Sequence, residues 1–404
     1  MPVRYSPLAD QFLDSGAIFD DLRALVVSGD FTLGRVVAEF EAAFARQIGV
    51  KHAIGVGSGT DALKVPLKAV GVGYGDEVIT AANTFWATVG AIAEVGARPV
   101  FIDIDPLTYN IDPAKLVEKI TPKTKAIIPV HLTGRPADMD VIMALARKHN
   151  LFVIEDAAQS FGASYQGQRS CHTSPIATTS FFPSKPLGCY GDGGAIFLED
   201  AELAKACREL RVHGQSARYL HTRIGVGGRM DTLQCAVVLA KLGRLDWEIE
   251  RRQQIGARYH ALLADVPGVT LLTVRPDRDS VWGQYTVQVA QREAVQAFLQ
   301  AEGVPTAIHY PRPLNRQPAF EAISRSHGTA NSDWLAARVM SLPMSADLTE
   351  ADQDRVVETL RRALASLPAQ ARRLKLSTIA PAPVGWSTAS WSCTTGTKNP
   401  SPWT

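Results

Sequence analysis

Residues 125–160 read KAIIPVHLTGRPADMDVIMALARKHNLFVIEDAAQS. Two short apolar runs, Ala126–Val130 and Leu151–Ile154, flank a stretch of helical periodicity, Met139–His149. A strand, a helix and a strand at this spacing predict a right-handed βαβ unit, whose two strands lie parallel in one sheet. Because both runs are continuously apolar rather than alternating, we expect strands that are buried on both faces.

The same alternation extends through the first half of the chain. Further strands are predicted at His52–Val56, Glu77–Thr80 and Pro99–Asp103, and helices at Thr60–Val70 and Thr88–Val95. We therefore predict an α/β fold with a large domain over residues 1–245, built on a mostly parallel sheet with helices on both faces.

Residues 246–366 are predicted to form a smaller C-terminal α+β domain, on which the N-terminal segment packs. The helices and strands that lead into and build it are expected at Met230–Leu245, Glu248–Ala264, Gly268–Leu272, Tyr285–Val289, Arg292–Glu302 and Glu350–Leu364. Residues 367–404 are rich in Ser, Thr, Pro and Trp without a period, and we expect a poorly ordered tail. Its tryptophans leave open a docking segment or a reading-frame artefact.

Composition excludes several classes of function. The 404 residues are 46% hydrophobic and 20% charged, and the net charge is +2, so nothing favours binding to nucleic acid or to a membrane surface. The five cysteines form no CxxC pair, which argues against a disulfide framework and against a metal site. Because the sequence has neither a secretion signal nor a run long enough to cross a bilayer, we expect a cytoplasmic protein.

A lysine in a glycine-rich loop is the strongest chemical signal. Residues 180–194 read SFFPSKPLGCYGDGG, in which Lys185 is followed by four glycines. A lysine that forms a Schiff base must be partly desolvated, and the backbone around it must approach a flat cofactor closely. A surface lysine in a flexible loop remains the alternative for this segment alone.

Asp156 directly follows the second strand of the βαβ unit, and Gln159 lies one helical turn further on. In open α/β sheets, ligands bind beyond the carboxyl ends of the strands. A carboxylate there could keep a pyridine nitrogen protonated, which makes pyridoxal 5'-phosphate (PLP) an electron sink. Alternatively, Asp156 merely caps a helix.

Two earlier strand ends carry complementary features. The turn Gly57–Asp61 leads from a strand into a helix, where free backbone N–H groups and the Thr60 hydroxyl could hold a phosphate. Phe85 follows another strand and could stack on a pyridine ring. Read alone, these features are also a tight turn and a core aromatic. Together with Lys185 and Asp156, they predict a PLP site.

These motifs resemble the DegT-type sugar aminotransferases, PLP enzymes of fold type I. The shared motifs, found between about Gly29 and Leu364, are SGTDAL, TFxAT, VIEDAAQS, SFFPSKPLGCYGDGGA, RxDTLQ and HYPxPLNxQP. Residues 155–192 look closest to the branch that acts on UDP-2-acetamido-3-keto-glucuronic acid. The resemblance implies a homodimer with shared active sites, and an amino group that passes from glutamate or glutamine to a nucleotide-linked keto-sugar for polysaccharide synthesis.

The resemblance also implies a role for each site residue. Lys185 would be the Schiff-base lysine and proton shuttle, and Asp156 would pair with the ring nitrogen. The residues expected to contact PLP elsewhere are Gly59, Thr60 and Ser180 at the phosphate, Phe85 on the ring face and Gln159 at the ring hydroxyl. The residues expected to contact the sugar nucleotide, from the neighbouring subunit, are Arg229, His309 and Tyr310.

The sequence departs from the family pattern at two places. Gly227 stands where relatives usually have an Asn that reaches the partner's PLP phosphate. The stretch His131–Arg135 carries Thr133 and Arg135 where the closest branch often reads Leu-Tyr-Gly-Gln, and this bears on which sugar is bound.

Two other classes of protein remain to be weighed. A PLP-binding regulator without turnover would not need Lys185 and the sugar-site residues. A Rossmann-type nucleotide-binding domain would need a GxGxxG turn, and residues 55–59 lack that spacing.

Overall fold

The computed structural model describes residues 3–9, 15–326 and 328–368. Over these residues the strands are β1 His52–Val56, β2 Glu77–Ala81, β3 Arg98–Ile102, β4 Thr124–Ile128, β5 Phe152–Asp156, β6 Ser164–Tyr165, β7 Gln168–Arg169, β8 Ile176–Ser180, β9 Gly194–Leu198, β10 Gln215–Ala217, β11 Leu220–His221, β12 Val269–Leu271, β13 Tyr285–Val289, β14 Arg325–Ser326 and β15 Val339–Leu342. The α-helices are α1 Gly16–Ser28, α2 Arg35–Ile48, α3 Gly59–Ala69, α4 Trp86–Glu94, α5 Met139–His149, α6 Ala201–Leu210, α7 Thr232–Leu242, α8 Leu245–Leu263, α9 Arg292–Ala301, α10 Pro318–Glu321, α11 Ala330–Ala336 and α12 Glu350–Ser366.

The central sheet has the strand order β1-β9-β8-β5-β4-β2-β3-β14. Pairings from β8 through to β14 are parallel, whereas β9 runs antiparallel to both β1 and β8. The carboxyl ends of β1, β2, β5 and β8 therefore lie at one edge of the sheet. This topology confirms the predicted mostly parallel sheet.

Helices cover both faces of this sheet. Successive residues of β1 point to opposite sides, because Ala53 packs in the cluster that contains α2 whereas Ile54 packs in the cluster that contains α3 and α5. Phe40 and Phe44 of α2 are fully buried on the first side. The strands are therefore buried on both faces, which explains their continuously apolar sequence.

A second core lies beneath the antiparallel sheet β12-β13-β15, which packs with α8, α9 and α12. The N-terminal segment joins this core: Val3 is buried in it, and its backbone N–H donates to the Gly303 carbonyl over 3.1 Å. Leu367 is also buried there, so this first residue of the predicted tail packs with the core. Residues 369–404 lie outside the described part of the chain.

One segment of the predicted small domain returns to the large sheet. β14 pairs in parallel with β3, and Leu314 and Phe320 pack against Phe101. The division at residues 245 and 246 stays a prediction, but this segment contributes to the core of the large sheet. This segment contacts residues that are about 200 positions away in the chain, such as Phe101, and such long-range contacts leave no periodic pattern in the sequence.

No helix in the described ranges is long and apolar enough to span a membrane. Within the same ranges, no group of His, Cys, Asp and Glu side chains is placed to hold a metal ion. The cysteines at 171, 189, 207 and 235 are free and buried.

Candidate active site

A cavity of about 480 Å³ opens at the sheet edge where β1, β2, β5 and β8 end. Its volume suits a small-molecule ligand. It is lined by Ser58, Gly59, Thr60, Leu63, Phe85, Ala87, Val130, Asp156, Ala158, Gln159, Ser180, Phe182, Ser184, Lys185, Asp192, Gln284, His309 and Tyr310. A larger, more open depression of about 690 Å³ beside Gln253 and His260 contains none of the predicted site residues. The smaller cavity is therefore the candidate active site.

Lys185 enters the cavity from the loop that follows β8. Its backbone N–H donates to the Phe182 carbonyl over 2.8 Å, which closes a tight turn. Further along the same loop, the Gly188 carbonyl accepts a hydrogen bond from Lys241 Nζ over 2.6 Å. Desolvation lowers the pKa of the Lys185 amine, and attraction to the Asp156 carboxylate opposes this shift. A lowered pKa leaves more of the amine unprotonated, as a nucleophile requires.

Asp156 is the last residue of β5 and is buried. Thr88 Oγ1 donates to its Oδ2 over 2.9 Å, and the Ala158 backbone N–H donates to its Oδ1 over 3.2 Å. Desolvation raises the pKa of this carboxyl above its usual value, although both hydrogen bonds and Lys185 act in the opposite direction. A cationic ring nitrogen at this place would favour the ionised carboxylate.

A second carboxylate lies in the same strand, facing away from the cavity. Glu155 and His131 are both fully buried, with His131 Nε2 2.9 Å from Glu155 Oε1. Because the Ala137 backbone N–H donates to His131 Nδ1, Nε2 carries the proton and donates to Glu155. Although burial raises the pKa of Glu155, His131 and backbone donors such as Cys171 hold it below its ordinary value of 4.5. This pair braces the strand that ends in Asp156.

Gln159 joins two parts of the chain at the cavity wall. Its Oε1 accepts the Thr133 backbone N–H over 2.7 Å, and its Nε2 donates to the Tyr310 hydroxyl over 3.1 Å. Burial raises the pKa of Tyr310, so this hydroxyl is neutral at neutral pH. Gln159 therefore presents the N–H end of its amide toward Tyr310.

The start of α3 fits an anionic group. The Ser58 hydroxyl caps this helix by accepting the Asp61 N–H over 3.1 Å, and within the described chain the N–H groups of Gly59 and Thr60 have no acceptor. A Cβ atom at Gly59 would lie 2.7 Å from Ser180 Cβ, so only glycine permits this approach. Two free N–H groups at a helix N-terminus, facing a serine hydroxyl, form a phosphate cradle.

Phe85, His309 and Tyr310 contribute the aromatic and imidazole rings of the cavity wall. The Phe85 ring lies 5.9 Å from the Tyr310 ring, and its side chain is about half exposed at the cavity mouth. His309 Nδ1 is 2.9 Å from Ser341 Oγ, and burial lowers the pKa of His309 to about 4, so the imidazole is neutral near pH 7. Both His309 and Tyr310 line the cavity of their own chain. This differs from the expectation that they enter from a neighbouring subunit.

Arg229 lies outside this cavity. It is not among the residues that line the cavity, and its backbone bridges to Val56 at the end of β1. Gly227 is exposed nearby, and a Cβ atom there would lie 2.9 Å from the His213 ring. A contact of either residue with substrate or with a partner's cofactor stays a prediction.

Two contributing residues were not singled out from the sequence. Thr88 orients Asp156, and Gln284 lines the cavity with a buried Oε1 that lacks a hydrogen-bond partner among the described residues. Thr133 was singled out only for its bearing on the sugar, whereas the structure shows that it orients Gln159. Thr88 lies one helical turn after Phe85 on α4, and that spacing could have indicated it. Nothing in the sequence indicated Gln284, whose position depends on packing between the two cores.

The cavity fits PLP group by group. The phosphate cradle, the buried carboxylate, the desolvated lysine and the half-exposed phenylalanine face one space of suitable volume. The fold and this site define a PLP-dependent enzyme of fold type I.

The chain belongs to the DegT/DnrJ/EryC1/StrS aminotransferase family, whose model matches residues 14–361. It is 53% identical over 316 residues to the UDP-2-acetamido-2-deoxy-3-oxo-D-glucuronate aminotransferase of Pseudomonas aeruginosa, covering 78% of this chain and 87% of the relative. It is 46% identical over 336 residues to a protein of Geobacillus stearothermophilus named pleiotropic regulatory protein, covering 82% of this chain and 90% of the relative. Among solved structures, DesV of S. venezuelae in complex with a ketimine intermediate superposes with a TM-score of 0.87 at 37% identity, covering 93% of this chain and all of that one. The protein is thus a PLP-dependent aminotransferase.

Proposed function

We propose that this enzyme transfers an amino group from glutamate or glutamine to a nucleotide-linked keto-sugar, in amino-sugar synthesis for lipopolysaccharide or another surface polysaccharide. The observation that carries this proposal is the meeting of Lys185 and Asp156 in one cavity beside the phosphate cradle. The relative from P. aeruginosa, named for a UDP-linked 3-oxo-glucuronate, supports the substrate class.

Each cavity residue has a part in this chemistry. When bound, PLP supplies an electron sink that stabilises negative charge on the carbon bearing the amino group. Lys185 would be the point of covalent attachment, and its amine, released when the amino donor takes its place, would move the proton from that carbon. Asp156 holds the proton on the ring nitrogen, and Thr88 fixes the carboxylate that does so.

The remaining residues bind and orient. The N–H groups of Gly59 and Thr60 and the Ser180 hydroxyl hold the phosphate, Phe85 covers the ring face, and the Gln159 amide donates toward the ring oxygen. The neutral His309 and the Gln284 carbonyl, which has no hydrogen-bond partner among the described residues, face the part of the cavity that is left for the amino donor and the sugar.

The departure at Thr133 and Arg135 does not act on the sugar by direct contact. Thr133 and Arg135 are buried, at 0% and 1% exposure, and neither lines the cavity. The identity of the sugar therefore depends on residues that do reach the cavity, and a UDP-linked 3-keto-uronic acid is the first candidate to test.

We also propose a cytoplasmic homodimer with shared active sites. Groups of exposed apolar side chains support this assembly, because grouped exposed apolar residues mark interaction surfaces whereas single ones do not. They occur around α1, at the cavity mouth and beside β11: Phe19, Val26, Val27, Phe31, Leu33, Phe85, Phe182, Tyr219, Leu220 and Ile224. Light scattering of the purified protein measures the assembly directly, and a monomer would contradict the proposal.

Absorbance spectroscopy tests the reaction in two steps. Glutamate alone should shift the spectrum of bound PLP to that of its amine form, and Lys185→Ala should abolish the shift. A panel of UDP- and dTDP-linked keto-sugars should then restore the original spectrum with one member. A wild-type enzyme that binds PLP but ignores every amino donor would favour the regulator without turnover, and one that reacts with glutamate but with no keto-sugar would refute the substrate class.

A further inference from the structure

Arg135 is buried in an unusual setting. It is 1% exposed, and its Nη2 donates to the Thr108 carbonyl over 2.9 Å and to Thr133 Oγ1 over 2.7 Å. No carboxylate pairs with it among the described residues, and its Nε and Nη1 have no hydrogen-bond partner there. Its guanidinium lies 5.9 Å from the centre of the Trp282 ring. A buried cation without an ion pair is unfavourable for folding, so a contribution to stability does not account for this arginine.

Thr133, which receives that hydrogen bond, has a strained backbone. Its φ is +61° and its ψ is 8°, a left-handed conformation that β-branched residues rarely adopt. The hydrogen bond from Arg135 fixes the Thr133 side chain, and the next residue, Gly134, packs against the backbone of Trp282 and Gly283. This conformation directs the Thr133 backbone N–H toward Gln159 Oε1.

The orientation of the Gln159 amide follows. Because a backbone N–H can only donate, the atom that faces Thr133 must be the carbonyl oxygen of the side chain. The NH₂ group of Gln159 therefore points the other way, toward Tyr310 and the cavity. Without a fixed Thr133, nothing else among the described contacts of Gln159 would enforce this orientation.

We propose that Arg135 is a positioning residue that acts through Thr133 to hold the donor end of the Gln159 amide toward the cavity. The donor then meets the ring oxygen of bound PLP. This inference rests on the Gln159 contact in the proposed function. It assigns a role to a residue that touches neither cofactor nor substrate.

Spectral titration of the holoenzyme gives a readout apart from turnover. A donor to the ring oxygen stabilises that oxygen in its ionised form and weakens its hold on the proton shared with the Lys185 nitrogen. Loss of the donor should therefore raise the pKa of the bound chromophore. Arg135→Met should raise it by about 0.4 to 1 unit, as expected for one neutral hydrogen bond.

Four further variants sharpen the test. Gln159→Leu removes the donor itself and should shift the pKa in the same direction. Thr133→Val deletes only the acceptor of the Arg135 hydrogen bond, keeps the residue shape and should give an upward shift even if Arg135→Met folds poorly. Arg135→Lys should restore part of the wild-type pKa.

The fourth variant is a matched control, Arg278→Met. Arg278 is another arginine of this region, with a side chain that is only 4% exposed, but its partners are Asp138, Asp277 and the Pro136 carbonyl rather than Thr133. Its loss should lower stability to urea and leave the spectral pKa unchanged.

The outcomes distinguish the positioning role of Arg135 from the contact between Gln159 and PLP. An upward shift in the Arg135, Thr133 and Gln159 variants, with none in Arg278→Met, supports the inference. A shift in Gln159→Leu without one in Arg135→Met and Thr133→Val overturns it and leaves the proposed function intact. An unchanged pKa in Gln159→Leu refutes the Gln159 contact itself, and the inference falls with it.

Discussion

Replacing Gly59 with alanine should weaken PLP binding although the backbone tolerates alanine. Gly59 is the first residue of α3, where alanine is the better helix former. The added Cβ would lie 2.7 Å from Ser180 Cβ, 3.0 Å from its Oγ and 3.4 Å from its Cα. Because the first distance is shorter than side chains tolerate, α3 and the end of β8 must move apart, and the phosphate cradle lies between them.

The packing cost sets the magnitude. Inserting a methyl group into a closely packed contact costs about 1–3 kcal/mol. If the whole cost falls on the PLP-bound form, the dissociation constant of PLP rises about 5- to 150-fold. Fluorescence titration of the apoenzyme with PLP measures this constant.

Two further proteins test the cause. Gly243→Ala is the matched control, because its Cβ would have nothing within 4 Å and its φ is −62°, so PLP affinity should be unchanged. In a Ser180→Gly background, the two closest atoms are gone and Gly59→Ala should cost much less than in wild type. Wild-type affinity in Gly59→Ala, or an equal cost in both backgrounds, would refute the steric argument.

Four other predictions follow from the site and the sequence. Asp156→Asn should retain PLP yet slow the half-reaction with glutamate by orders of magnitude, as followed by stopped-flow absorbance; a near-normal rate would exclude the proposed role for its charge. Gly227→Asn should bind PLP about 10- to 100-fold more tightly if this loop reaches the PLP phosphate of a partner subunit. The His213 ring must move to make room for the new side chain. Equal dissociation constants would show that the loop makes no such contact. Because the pKa of Glu155 is lowered in the folded protein, its ionised form contributes stability above about pH 4.5, and this contribution is lost as pH falls through the folded-state pKa. The loss of unfolding free energy in Glu155→Gln, measured in urea, should therefore become smaller as pH falls below the folded-state pKa. A loss that does not depend on pH would contradict this. A chain ending at Leu367 should retain that buried side chain and should fold, dimerise and turn over normally; an insoluble or monomeric product would indicate a docking role for residues 368–404.

The fold and most of the cavity follow from local patterns in the sequence. The βαβ unit of residues 125–160 predicted parallel strands, and parallel strands bring their carboxyl ends to one sheet edge. For that reason Gly59, Phe85 and Asp156, each placed at or just beyond a predicted strand end, were expected together and do line one cavity. Ser180, which was expected there from the family resemblance, lines it as well. Lys185 joined them because its loop directly follows β8, and the family motifs supported the same set.

Only the tertiary structure decided which segments that are distant in the chain come into contact. Tyr310 meets Gln159 in its own subunit because the chain between β13 and β15 returns to the large sheet, where β14 pairs with β3. The left-handed Thr133 and the burial of Arg135 beside Trp282 also depend on packing between the two cores. Sequence periodicity reports which face of an element is buried, whereas the partner against which it is buried is determined only when the whole chain has folded.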